Sequence, residues 1–91
     1  MEFRRGELVV CTAGRENERL MCVIAFDGEY VYLCDGRLRT IEHPKKKSKK
    51  HIQPVKKAVN HEIREKLLQG ASVRNEEIKR AIKVFKKDKF R

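Results

Sequence analysis

The side chains of this sequence that could do chemistry are mostly cations, and they come in spaced groups. Lys45, Lys46, Lys47, Lys49 and Lys50 fill five of six consecutive positions, with Arg37 and Arg39 two apart just before them. Lys79, Lys83 and Lys86 recur at i, i+4 and i+7, along one side of a helix. Arg15 and Arg19 follow Gly14. Groups of this kind bind phosphate, guanidinium forks bidentately and ammonium groups as point charges. Each neutralised phosphate releases condensed counterions, and lysine in this role positions a polyanion without reading its sequence. Nucleophilic and metal-binding patterns are missing. Cys11, Cys22 and Cys34 contain no C-x-x-C pair, and His43, His51 and His61 contain no H-x(3–5)-H pair. An odd cysteine count argues against a secreted disulfide scaffold, so the thiols read as small buried hydrophobes. No phosphate loop or dinucleotide fingerprint is present. The expectation is a chain that is not an enzyme, with no cofactor, no metal and no small-molecule substrate.

The elements that must position these cations come from 91 residues, enough for one small domain with a thin core. The net charge is +10, from 23 Lys and Arg against 13 Asp and Glu. Such a field favours polyanions, either nucleic acid or an anionic membrane surface. The excess is local: residues 1–36 carry −3, residues 37–60 carry +8 and residues 61–91 carry +5. No apolar run is long enough to span a bilayer, and no apolar stretch follows Arg4 and Arg5 as a secretory signal requires. A cytoplasmic monomer is the expectation.

The first third reads as β. Glu7–Thr12, Leu20–Phe26, Glu29–Cys34 and Arg37–Ile41 are short apolar or alternating runs, and Asp27-Gly28 and Asp35-Gly36 are hairpin signals. These predict an antiparallel meander, and continuous apolar runs in so small a protein predict a curled or closed sheet with both faces covered. Residues 43–51 carry the lysine run without apolar period and read as an exposed loop. Ile52–Val55 is a closing strand that Pro54 confines to an edge or an end. Two helices follow. Val59, Ile63 and Leu67 form one stripe, with Asn60 as N-cap and Gly70 as the stop. Ile78, Ala81, Ile82 and Phe85 form the other, with Asn75 as its cap. Neither helix is long enough to stand alone, so each must dock. Tyr30 and Tyr32 share one strand face and are expected in the core with Phe3, Phe26 and Phe85. Exposed, the two tyrosines would instead be a platform for stacking bases.

The stretch from Gly6 to Ile24 runs strand, glycine-bearing basic loop, apolar strand. It resembles the KOW motif of ribosomal proteins and transcription elongation factors. With the two Asp-Gly turns, Tyr30–Leu33 and the lysine run, residues 4–56 are most similar to small KOW-domain proteins akin to the archaeal and eukaryal large-subunit ribosomal protein of the fourteen-e type. The resemblance implies a mainly β fold with C-terminal α structure: an SH3-like barrel over 1–56 and a helical appendage over 57–91. It also implies binding of ribosomal or other structured RNA, with Gly14, Arg15 and Arg19 facing it. One departure stands out. KOW loops carry a second glycine before a basic residue, and here Glu18 precedes Arg19. The loop is therefore expected to turn less sharply, and Glu16 and Glu18 to weaken phosphate contact.

The resulting expectation is a non-enzymatic RNA-binding protein, with ribosomal proteins as further partners and no membrane. Its contact surface comprises Gly14, Arg15, Arg19, Arg37, Arg39, Lys45, Lys46, Lys47, Lys49, Lys50, Lys79, Lys83 and Lys86. The competing reading is a protein-interaction module using the barrel or the helices, which requires an open apolar stripe on Val59/Ile63/Leu67 or Ile78/Ile82/Phe85.

Overall fold

In the first strands, apolar residues occupy consecutive positions, so both faces of the sheet need cover, and both have it. The computed structural model describes residues Glu2–Lys89. Five strands, β1 (Glu7–Cys11), β2 (Leu20–Asp27), β3 (Tyr30–Cys34), β4 (Lys45–Ser48) and β5 (Ile52–Val59), form one antiparallel sheet in the order β4-β3-β2-β1-β5. Helices α1 (His61–Leu68) and α2 (Asn75–Lys89) follow. Successive side chains of a strand point to opposite faces. Val9, Cys11, Met21, Val23, Val31 and Leu33 therefore pack with Phe3 and Ile52 on one face. Leu8, Leu20, Cys22 and Cys34 point to the other, where Ile63, Ile78, Ala81 and Ile82 of the helices cover them. All three thiols are buried, and burial pushes Cys34 up to about 12, so the cysteines stay protonated packing groups.

β4 and β5 are opposite edges of the sheet, yet only a 3-10 turn, Lys49–His51, joins them. A flat sheet would hold its outer strands nearly 20 Å apart, at ~4.8 Å per strand interval. The sheet must therefore bend sharply at this end, where Thr12 N–H donates to His51 O at 2.8 Å. Pro54 lies on the edge strand β5, as its missing donor requires. That strand runs on to Val59 through a bulge at which Lys56 and Lys57 take φ of 54° and 51°.

Several expected elements are corrected. The lysine run is not a loop: Lys45–Ser48 pairs with Leu33–Tyr30 as an edge strand. Lysine is a poor strand former, but it is a common guard of exposed edges, and the free edge of β3 supplies the partner. Arg37–Ile41 is not a strand. The Asp35 carboxylate accepts from the N–H groups of Arg37 (2.9 Å) and Arg39 (3.0 Å), which turns the chain into a loop. Phe26 and Tyr30 are exposed rather than in the core: α2 covers the Cys34 end of β3 and not its start, where Tyr30 lies, and Phe26, paired with Val31, lies at the hairpin end of the opposite face, which neither α1 nor α2 covers.

The helix ends are set locally. Asn60 caps α1 by accepting from Ile63 N–H at 2.9 Å. Gly70 and Ala71 close it, donating to Leu67 O and Lys66 O in a Schellman arrangement. Asn75 does not cap α2. The Arg74 carbonyl accepts the first helical bonds, and Glu77 accepts from Arg74 N–H at 2.9 Å. Asn75 instead accepts from Ile41 N–H (2.8 Å) and donates to Glu42 (2.9 Å), fastening the β3–β4 loop to the helix.

Candidate nucleic-acid interface

Three segments distant in sequence meet around one groove of about 580 Å³. The β1–β2 loop brings Arg19, the β3–β4 loop brings Arg37 and Leu38, and α2 brings Lys79, Lys83 and Lys86. Leu20 and Ile82 form its floor, and Leu38 stands at the lip with 71% of its surface exposed. Asp35 is the one carboxylate among the lining residues. Burial alone would raise its pKa. The N–H groups of Arg39 and Arg37 and the Arg19 charge outweigh that and hold it below the ordinary range. The anion also receives Arg19 Nη1 at 3.4 Å, which orients that guanidinium at the groove wall. A second hollow of about 450 Å³, lined by Glu18, Val55 and Phe85 among others, shares Arg19, Leu20 and Lys86 with the first.

The remaining predicted contacts are dispersed. Lys47 faces inward and is only 8% exposed. Its Nζ donates to Ala13 O at 2.6 Å and lies 3.4 Å from Glu16 Oε1. Arg39 donates to the other oxygen of Glu16 through Nε (3.1 Å) and Nη2 (2.8 Å). These two cations are thus engaged in holding the β1–β2 loop to the sheet. Lys45, two positions from Lys47, shares its face and is half-buried, whereas Lys46 points outward over the Tyr30 ring at 4.5 Å. Lys49 lies 5.9 Å from the centre of Phe26, and Lys50, Gly14 and Arg15 are exposed outside the groove. A strand alternates, so the lysine run divides between two faces instead of forming one patch.

Glu16 and Asp35 organise the site, but the sequence marks them only as a loop acid and as the first residue of an Asp-Gly turn, not as partners of Arg39, Lys47 or Arg19. Leu38, flanked by Arg37 and Arg39, could have been singled out as an apolar residue in a basic segment. Among the described residues no three His, Cys, Asp or Glu side chains converge as metal ligands.

The loop is also not blunted at Glu18. This residue takes φ of 66°, and its N–H donates to Cys11 O at 2.7 Å. Glutamate thus holds the left-handed backbone that glycine adopts freely. Glu18→Gly is expected to raise stability by about 0.5–1 kcal/mol. Left-handed backbone costs a side-chain-bearing residue ~1–2 kcal/mol, which exceeds the ~0.5–1 kcal/mol entropic cost of glycine. Urea unfolding measures this, and a lowered midpoint would contradict it.

No family model matches the chain, and no curated protein matches it in sequence.

Proposed function

We propose that this chain is a non-enzymatic RNA-binding protein that docks on structured RNA, ribosomal or in another ribonucleoprotein, through the groove between α2 and the two loops. The observation that carries this is the convergence of Arg19, Arg37, Lys79, Lys83 and Lys86 on one concave surface that contains a single carboxylate. Folding keeps like charges together only at a cost, and a polyanion relieves it. Phosphates would bridge the two walls, and Leu38 would offer apolar contact to a sugar or base.

Two features support an SH3-like, KOW-type barrel as the scaffold. One is the 3-10 turn linking the opposite edge strands. The other is the left-handed turn at Glu18 just before Arg19, where KOW loops carry glycine. The choice of RNA over DNA rests on this likeness, since charge alone does not make it. A membrane surface fits less well: the apolar stripe of α2 lies against the sheet, with Ile78, Ala81 and Ile82 buried. The same burial, with Ile63 covered and Leu67 and Phe85 partly buried against this core, weighs against a protein-interaction module that needs the stripes open.

Arg37, Lys83 and Lys86 are exposed, so changing all three to glutamine leaves the core untouched. The triple variant is expected to bind an RNA stem-loop at least ~10-fold more weakly. Its log–log salt slope should be shallower by about 2 to 3, at ~0.7–0.9 per lost phosphate contact. Fluorescence anisotropy across a salt series measures both. Unchanged affinity and slope in a variant that melts like the wild type would remove the groove from the interface.

A further inference from the structure

The β2–β3 hairpin ends in two aromatic rings that stay in water despite a thin core. Phe26 is 37% exposed and Tyr30 is 45% exposed. Each ring is attended by cations: the Arg5 guanidinium lies 4.7 Å from the Phe26 centroid, with Lys49 beyond it at 5.9 Å, and Lys46 lies 4.5 Å from that of Tyr30. Among the described residues, none of these three cations has a carboxylate within ion-pair distance. This separates them from Arg39 and Lys47, which share the Glu16 carboxylate inside the fold. Lys49 N–H donates to Glu29 O at 2.9 Å, and Ser48 pairs with Tyr30, so Lys46 and Lys49 are held at the hairpin by backbone. The backbone under both rings is paired, Phe26 opposite Val31 and Tyr30 opposite Asp27, so the rings stand on opposite faces of the hairpin tip, one on each side.

We propose that this hairpin tip is a second RNA contact, which takes unpaired bases by stacking on Phe26 and Tyr30 while Arg5, Lys46 and Lys49 hold the neighbouring phosphates. Exposed rings with unneutralised cations are the combination that single-stranded nucleic acid uses, because every base has a π-face and every linkage a charge. A duplex presents only its backbone and groove edges and keeps its bases stacked on one another, so it cannot use the rings. The tip lies at the far end of β3 from the groove: Tyr30 and Asp35 are five residues apart, about 16 Å along a strand. One RNA with a stem in the groove and an unpaired segment beside it can therefore occupy both. The inference rests on the RNA-binding reading and adds which part of an RNA goes where.

The test uses the full chain, with a short oligouridine strand and an RNA duplex of the same length as probes. Both rings are surface groups, so Phe26→Ala with Tyr30→Ala is expected to fold normally and to lose about 30-fold or more in affinity for oligouridine, one base stack being lost with each ring. Duplex affinity should be unchanged, and Phe26→Tyr with Tyr30→Phe, which keeps both rings, should bind like the wild type. Polyglutamate, which offers charge without bases, should not distinguish the double alanine variant from the wild type. Unaltered oligouridine binding in that variant would overturn the inference and leave the RNA reading standing. Equal losses for oligouridine, duplex and polyglutamate would overturn it too. A wild-type chain that binds neither RNA would overturn the RNA reading itself.

Discussion

Gly36→Ala is expected to destabilise the protein by about 3–4 kcal/mol and to disrupt the groove proposed to bind RNA. Gly36 is buried at the start of the β3–β4 loop with φ of 81°. A Cβ there would run into the carbonyl oxygen of Asn75 and lie 2.8 Å from Lys79 Cγ and 3.2 Å from Lys79 N. Two of these are backbone atoms of the first turns of α2, so relief requires moving the helix. That helix cannot move alone. Asn75 is bonded to Ile41 and Glu42, and Ile78 is buried in the second core. The left-handed backbone contributes ~1–2 kcal/mol to the loss and the overpacking ~1–3 kcal/mol. Against a total stability of ~5–15 kcal/mol for a domain, this is a large fraction. Lys79, Lys83 and Lys86 all ride on α2, so displacing it separates the two walls of the groove. Gly28→Ala is the control: its φ is 60° with nothing within 4 Å, so it should show the backbone part alone. Urea unfolding followed by circular dichroism measures both variants. A Gly36→Ala protein as stable as Gly28→Ala would mean that α2 is not seated on this glycine.

What the sequence shows directly is whatever a local period encodes. The consecutive apolar residues of β1 and β2 announce a sheet covered on both sides, and Ile78, Ala81, Ile82 and Phe85 announce the docked face of α2. What it hides is decided by partners far along the chain. Lys45–Ser48 has no strand signal of its own and becomes β4 only because Tyr30–Leu33 leaves an edge to pair with. Arg37–Ile41 has the alternation of a strand, but two N–H groups go to the Asp35 carboxylate before any sheet can take them. Tyr30 shares its face with Cys34, yet the period does not tell how far along that face the helices reach. The charge excess was legible as well, but not its use. Arg39 and Lys47 are indistinguishable from their neighbours in sequence, and meet Glu16 across 23 and 31 residues. Of the predicted contacts, the groove gathers Arg19, Arg37, Lys79, Lys83 and Lys86, none of which pairs with this buried carboxylate.

That carboxylate carries the other large expected effect. Glu16→Ala removes the anion shared by Arg39 and Lys47, and leaves the Lys47 ammonium, 8% exposed, with the Ala13 carbonyl as its remaining partner. Breaking a buried pair on one side costs about 3–5 kcal/mol, since the orphaned charge stays out of water. The Arg39 contribution is smaller, because a third of that side chain is open to solvent and its half of the pair is screened. Removing both charges separates the electrostatic cost from lost packing. Glu16→Gln with Lys47→Met is expected to recover most of the stability that Glu16→Ala loses, as apolar replacement of a buried pair is often neutral. The pH dependence has a definite sign. Burial alone would raise the Glu16 pKa, but the bonds from Arg39 and Lys47 and the charges of Arg39 and Lys45 outweigh it and hold the folded value below the ordinary 4.5. The unfolded chain therefore binds the proton first, so the stabilisation is complete above that value and disappears as pH falls through the depressed folded one. Asp35 is shifted the same way and contributes in the same acid range, so the wild type compared with Glu16→Gln isolates the Glu16 part. Urea midpoints taken from neutral pH down through the carboxylate range should fall more steeply for the wild type than for Glu16→Gln. Parallel curves, or a Glu16→Ala protein within ~0.5 kcal/mol of the wild type, would show that Glu16 does not bind the loop to the sheet.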